Sequence, residues 1–246
     1  MLILLPPSEG KSAPEGGDPV DLAELVYADL LGGRREKLLD ALERLATLSR
    51  GRAIGMLGVS KGQAGEVDVG ARLRVAPAAP AAKVYTGVLY ERLGLPALPL
   101  AARRRVLIAS ALWGVVRPDD RIPYYRFSSG ARLAKIGPPA SFWRPALAAA
   151  LPDEPGGLVV DMRSGGYAAA WKPKRAALLP VRAFSEAGGK RRVVSHMAKA
   201  VRGDVARALL LAKRPPADPE AVAALARAAG FTVELNAGNL DVIVPG

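Results

Sequence analysis

The N-terminal apolar run ends in "LLPPSEGKS", Leu4 to Ser12, whose last three residues match the tail of a nucleotide-binding P-loop. A complete loop of that kind needs a glycine five residues before its Gly-Lys, so that flexible backbone can turn its amides onto phosphate oxygens. Leu5 stands at that position, and Pro6 and Pro7 lack the N–H groups from which such a cradle is built. An ATP or GTP cradle is therefore disfavoured. Ser8, Glu9, Lys11 and Ser12 are instead read as a strand-end turn that presents Ser8 and Lys11, with the two prolines stiffening the exit from the sheet.

A second concentration of chemistry is "SHMAKAVRGDVARALLLAKR". At 100° per residue, Met197, Val201, Val205, Ala208, Leu209 and Ala212 share one face, and His196, Lys199, Arg202, Arg207 and Lys213 fall opposite. The spacing predicts a helix with a buried stripe and a basic face, capped by Ser195.

Composition narrows the chemistry further. The chain has 246 residues, half of them hydrophobic, a net charge of +12, one histidine and no cysteine. That length supports a proper core. Disulfides, thiolate catalysis, iron–sulfur clusters and Cys/His zinc sites are excluded, and a carboxylate and phosphate site for a hard ion such as magnesium stays open. No cofactor and no resident metal are expected. Residues 1–12 carry no basic export signal and no apolar run has the length of a membrane span, so a cytosolic chain with no membrane partner is expected. The positive charge is segregated: nine basic against two acidic side chains over residues 101–144, and thirteen against two over 163–214. Such a field is expected where a protein meets a polyanion, although a solvated basic surface gives the same count.

The elements that must position these groups are short. Strands are predicted at Leu2 to Leu5, Val106 to Ser110, Leu158 to Met162, Val181 to Ser185 and Arg192 to Ser195, each apolar and bounded by turn formers. Residues 21–50 read as helices, with Leu38, Leu42 and Leu45 on one face. Val75 to Ala82 reads as irregular or partly helical, and Ala146 to Leu151 as the end of a helix stopped by Pro152. The C-terminal "FTVELNAGNLDVIVPG" is a hairpin turning around Asn236 to Asn239. The expected architecture is α/β, one domain over residues 1–246 with a central mixed sheet flanked by helices.

Four further stretches lie between these: "KVYTGVLY" from Lys83, "ALWGVVRPDDRIPYYRFS" from Ala111, "SFWRPAL" from Ser141 and "VVDMRSGGYAAAWKP" from Val159. With "LLPPSEGKS" and "VVSHMAKAVRG", in that order and at those intervals, they resemble the YaaA peroxide-stress family in its actinobacterial form, from Leu2 to the terminal hairpin. The resemblance implies a compact α/β fold with a positively charged cleft, a helix-hairpin-helix-like element and binding to double-stranded DNA. It also implies protection from hydrogen peroxide through lower unincorporated iron, with no settled catalytic activity. One histidine and no cysteine give ferrous iron few good ligands, so an effect on iron is read as indirect.

The family motifs carry over residue by residue. Ser8 and Lys11 match the first motif, and Tyr85, Thr86 and Gly87 the Tyr-Thr-Gly of the second. Gly114, Arg117 and Pro118, followed by Tyr124 and Arg126, match the third. Ser164, Tyr167 and Lys172 match the fifth, and Ser195, Lys199, Arg202 and Gly203 the last. Many relatives carry an acidic residue where Gly166 stands and an aromatic one at His196. Lys and Arg neutralise phosphates, and Trp113, Tyr124, Tyr125, Trp143 and Trp171 offer stacking surfaces or, flanked by apolar residues, core. "ALWGVVRP" is either a strand end and turn or a hairpin whose amides and Arg117 hold a phosphate.

Two functions follow as expectations. In the first, the chain binds double-stranded DNA without turnover. In the second, it is an enzyme acting on a nucleotide, a nucleobase or another small phosphorylated anion. Arg117, Tyr124, Arg126, Ser164, Tyr167, Lys199 and Arg202 would then hold the nucleic acid or anion. Lys11, Lys172, Ser8 and Tyr85 would be catalytic in the enzyme case, a lysine of lowered pKa serving as nucleophile or base. A Ser-His-Asp hydrolase built on His196 is set aside, because no Gly-x-Ser-x-Gly elbow occurs.

Overall fold

The computed structural model describes residues 1–187, 190–193 and 197–245. In chain order the strands are β1 (Leu2–Leu5), β2 (Ala78–Pro80), β3 (Val106–Ser110), β4 (Gly114–Val116), β5 (Arg121–Pro123), β6 (Leu158–Asp161), β7 (Ala177–Ala187), β8 (Lys190–Val193), β9 (Thr232–Asn236) and β10 (Asn239–Pro245). The helices are α1 (Ala28–Ala46), α2 (Arg50–Leu57), α3 (Glu66–Ala71), α4 (Ala81–Val84), α5 (Val88–Leu93), α6 (Leu100–Arg103), α7 (Pro139–Ala150), α8 (Gly165–Ala168), α9 (Met197–Leu211) and α10 (Pro219–Ala228).

Strand β1 lies inside the sheet, parallel to β3 on one side, with Ile3 opposite Val106, and to β6 on the other, with Ile3 opposite Val160. Parallel strands covered on both faces read as continuous apolar runs, and "LILL", "VLIAS" and "LVVD" are such runs, buried almost throughout. The sheet order is β4-β3-β1-β6-β7-β10-β9, mixed because β4 and β9 run antiparallel at its edges. Strand β7 is long enough to pair with β6 through Ala177 to Pro180 and with β8 through Phe184 to Ala187. The terminal hairpin forms as expected, with Ala237 and Gly238 both at positive φ, and β10 adds its parallel edge to β7. The architecture is thus mixed α/β, a central mixed sheet flanked by helices. None of the described helices is long and apolar enough to cross a membrane.

Three expectations need adjustment. Helix α1 starts at Ala28 rather than near residue 21, because Tyr27 is left-handed and the Val26 amide donates to Asp120 Oδ2 at 3.0 Å, outside any helix. Val75 to Ala82 contains β2, paired with β5, and the start of α4; a three-residue strand rich in alanine and proline carries no periodicity to read. Strand β8 covers Lys190 to Val193, while Val194, the Ser195 cap and His196 lie outside the described residues.

Helix α1 also buries a charge. Arg35 shares the face of Leu31, Leu38, Leu42 and Leu45 and is completely buried. Its guanidinium donates to the carbonyls of Trp113 (3.1 Å), Val26 (2.8 Å) and Val115 (3.1 Å), which ties the helix to β4. Burial pulls its pKa down to about 10, with Asp120 opposing.

Candidate nucleic-acid and anion-binding site

The chain leaves β1 toward β3 on one side of the sheet and later enters β6 on the other, so the loops following β1 and β6 diverge at the carboxyl ends of adjacent parallel strands. Crevices at such topological switch points are where open α/β sheets bind ligands. A cleft of about 680 Å³ opens there. Its walls include Ser8 and Lys11 from the turn after β1, Arg126 to Ser129 from the segment after β5, Ser164 and Tyr167 from the N-cap and body of α8, and Lys199 and Arg202 from α9. Glu9 is the one acidic group among its lining residues.

Lys11 is the most constrained of these cations. Its Nζ donates to the Ser8 carbonyl at 2.6 Å and sits 4.7 Å from the Tyr125 ring centroid and 5.7 Å from that of Tyr85. Burial, helped by the like charge of Arg126, pulls its pKa down to about 8, while Glu66 and Glu9 oppose that shift. The turn that carries it is pinned: Ser8 Oγ donates to the Thr86 carbonyl, and Tyr90 donates to the Pro6 carbonyl at 2.6 Å. Gly87 has a φ of +95°, and a Cβ there would lie 3.1 Å from Ser8 Oγ, so the Tyr-Thr-Gly stretch serves to receive this turn.

Beneath Lys11 lies a buried hydroxyl chain. The Tyr85 and Tyr125 hydroxyls are 2.7 Å apart, the Tyr125 hydroxyl is 2.8 Å from Ser110 Oγ, and Ser110 Oγ accepts the amides of Leu112 (3.2 Å) and Trp113 (3.0 Å). Burial pushes the Tyr85 and Tyr125 phenols well above their ordinary value. Tyr85 therefore stays protonated and supports Lys11 rather than acting as a base.

Seven of the residues singled out in the sequence meet in this cleft: Ser8, Lys11, Arg126, Ser164, Tyr167, Lys199 and Arg202. Four do not line it. Tyr85 is buried behind Lys11, and Lys172 is exposed beyond Trp171. The Tyr124 hydroxyl donates to Glu66 Oε1 at 2.7 Å. Arg117 lies at the opposite end of the sheet, because it follows β4, which runs back antiparallel to β3. There it borders a separate hollow with Arg103, Arg104 and Arg121, and its amide donates to Asp120 Oδ2 at 3.0 Å. The Leu112 and Trp113 amides at the β3–β4 turn are already taken by Ser110 Oγ, so those two are not free to hold a phosphate. Trp113, Trp143, Trp171 and Tyr125 are core.

The basic face of α9 is only partly open. Val201, Val205 and Leu209 are buried and Lys199 is exposed. Arg202, however, donates to the Val181 carbonyl at 3.1 Å and Arg207 to the Leu93 carbonyl at 2.9 Å. The far wall rests on a buried ion pair, Arg163 Nη2 to Asp161 Oδ2 at 2.8 Å, from which Arg163 also reaches the Trp171 carbonyl at 2.8 Å. At Gly166 a Cβ would come within 2.7 Å of Ser129 Oγ, so the close approach of Ser129 accompanies glycine in this chain. Among the described residues, no cluster of three or more His, Cys, Asp or Glu side chains could hold a metal ion.

Sequence reasoning missed Glu66. Its Oε2 is buried without a hydrogen-bond partner among the described residues, and its charge supports the Lys11 ammonium. No local signal marks it. Tyr125 was more accessible to inference, since consecutive residues of extended backbone point to opposite faces and one of Tyr124 and Tyr125 must turn inward. Lys11 should titrate near pH 8, followed by NMR of the labelled ammonium, and Glu66→Gln should lower that value further because the supporting charge is gone. With the folded value below the ordinary 10.5, the fold disfavours the ammonium. The cost to stability is complete below about pH 8 and fades as pH rises to 10.5. A Lys11 value unmoved by Glu66→Gln would remove Glu66 from the site.

The fold and cleft define a class: mixed α/β proteins with a cationic, hydroxyl-lined crevice at the carboxyl ends of their parallel strands. The chain belongs to the YaaA peroxide-stress family; the family model described as peroxide stress protein YaaA matches residues 1–237. It is 42% identical over 259 aligned positions to a UPF0246 protein of Streptomyces coelicolor, covering 99% of this chain and 98% of that protein. A UPF0246 protein of Corynebacterium efficiens is 39% identical with the same coverage, and an uncharacterized protein of Campylobacter jejuni is 30% identical over 82% of each chain.

Proposed function

We propose that this protein binds the phosphates of nucleic acid in the cleft beside β1 and β6, as part of a peroxide-stress response that protects DNA and affects iron only indirectly. The observation that carries this reading is the convergence of Lys11, Arg126, Lys199 and Arg202, from three separate elements, around one concavity with Glu9 as the acid in its lining. The family's peroxide-stress description agrees with it. Cations that neutralise phosphates release counterions, so affinity falls with salt at a logarithmic slope of about −0.9 per contact. Four cations predict a slope of roughly −3.6 for duplex DNA, and the Lys199→Ala/Arg202→Ala double variant should lower its magnitude by roughly 1.8. Fluorescence anisotropy across a salt series reads both. Absence of binding at low salt, or a slope indifferent to the two substitutions, would falsify the reading.

Lys11 supports a second reading, catalysis on a phosphorylated or damaged nucleotide. A half-buried amine with its pKa near 8 holds a substantial minority of free base at physiological pH, as a nucleophile that forms Schiff bases requires. Borohydride reduction in the presence of abasic-site DNA should then trap a covalent adduct in the native protein and none in Lys11→Met. No adduct in the native protein would dismiss this second reading.

A further inference from the structure

The cleft has the size of a small-molecule site. Its volume of about 680 Å³ lies within the range of roughly 300–1,000 Å³ in which proteins enclose single ligands. Specific duplex interfaces are laid out differently, over about 1,000–2,500 Å² of protein surface. A stiff paired duplex would set its phosphates against the cations along the cleft walls but leave the apolar interior unused. That interior is nevertheless furnished. Lys11 is half-buried within it, and Pro6, Val59 and Val88 are half-buried apolar walls facing the same space. Ser8 and Tyr167 add hydroxyls beside them. Apolar walls with a few polar groups suit one flat heterocycle with a polar edge, and cations entering from three separate elements suit the phosphates on either side of it.

We infer that the cleft holds one nucleotide at a time, its base against Pro6, Val59 and Val88 and its flanking phosphates at Arg126 and at Lys199 with Arg202. The inference rests on the phosphate-binding reading and specifies the ligand of that same site. Two sources supply this chemistry: a nucleotide swung out of a duplex, which must unstack and unpair to enter, and a free mononucleotide. A bulged or unpaired nucleotide has already met most of that cost, so a duplex carrying one should bind at least about tenfold more tightly than its fully paired counterpart.

The experiment uses the whole chain at one low salt concentration with a fully paired duplex, the same duplex carrying a single bulged 2-aminopurine, and deoxyadenosine monophosphate as competitor. Preference for the bulge, with a change in 2-aminopurine fluorescence on binding, assigns the cleft to an extruded nucleotide. Competition by the mononucleotide without a bulge preference assigns it to a free nucleotide, and either result supports the one-nucleotide site. Equal affinity for both duplexes, with unchanged fluorescence and no competition, overturns it while leaving phosphate binding intact. Failure of all three probes to bind overturns both. Val59→Trp, which fills the cavity and leaves the cations in place, should abolish the bulge preference but retain salt-dependent binding to paired duplex.

Discussion

Gly203→Ala is expected to destabilise the protein by about 3 kcal/mol, toward the upper end for overpacking a tight contact, and to lower the thermal midpoint by roughly 6–12 °C. A Cβ at Gly203 would lie 2.4 Å from the Leu89 carbonyl oxygen and 2.8 Å from Arg92 Cβ, both on α5. A backbone carbonyl within a helix cannot turn aside as a flexible side-chain tip would, so α9 and α5 must part. Helix α9 also carries Lys199 and Arg202, and the same displacement should weaken the proposed nucleic-acid binding beyond what the loss of folded protein explains. Gly33→Ala is the internal comparison: it lies on the exposed side of α1 with nothing within 4 Å of its built Cβ. That change should be neutral or stabilising by about 0.4–1 kcal/mol. Equal melting temperatures for the two variants would mean that the crossing of α5 and α9 is not as close as described.

Arg163→Met is the second large effect, with an expected cost of about 3–5 kcal/mol, because it leaves Asp161 as a buried carboxylate without its partner. The side chains of Arg163 and Asp161 are 3% and 5% exposed. Arg163 Nε and Nη2 each donate to the carboxylate at 2.8 Å, and its amide donates at 2.9 Å. Asp161→Leu combined with Arg163→Met removes both charges and should recover part of the loss, since two apolar groups of similar volume avoid the unpaired charge. Chemical denaturation of the two single variants and the double variant gives the coupling. Strict additivity in that cycle would contradict a shared buried pair. Ser164 and Tyr167 follow directly in the chain, so the single variant should also impair the far wall of the cleft.

The strands of the sheet's interior were legible because burial on both faces forces uninterrupted apolar runs, as in Leu2 to Leu5 and Leu158 to Asp161. The terminal hairpin was legible because two alternating runs flank a short turn around Asn236 to Asn239. Strands β2, β4 and β5, three residues each, are too short for the two-residue alternation of a strand to repeat and reveal them. Arg35 defeats pattern reading altogether. Its place on the leucine stripe of α1 becomes intelligible only through the carbonyls of Val26, Trp113 and Val115, which meet it from elsewhere in the chain.

By itself the sequence determined the kinds of group available: cations and hydroxyls in ordered motifs, one histidine, no cysteine and a resemblance spanning the chain. It also placed Ser8 and Lys11 at the exit of a strand. Only the tertiary structure decided which of these groups meet. Five of the nine basic residues over 101–144 divide between the two ends of the sheet: Arg126 enters the cleft, while Arg103, Arg104, Arg117 and Arg121 gather around the hollow at the opposite end. The physical reason is strand direction. A reversal of the chain between β3 and β4 carries Arg117 away from the carboxyl ends of β1 and β6, and no count of charge along the sequence records which way a strand runs.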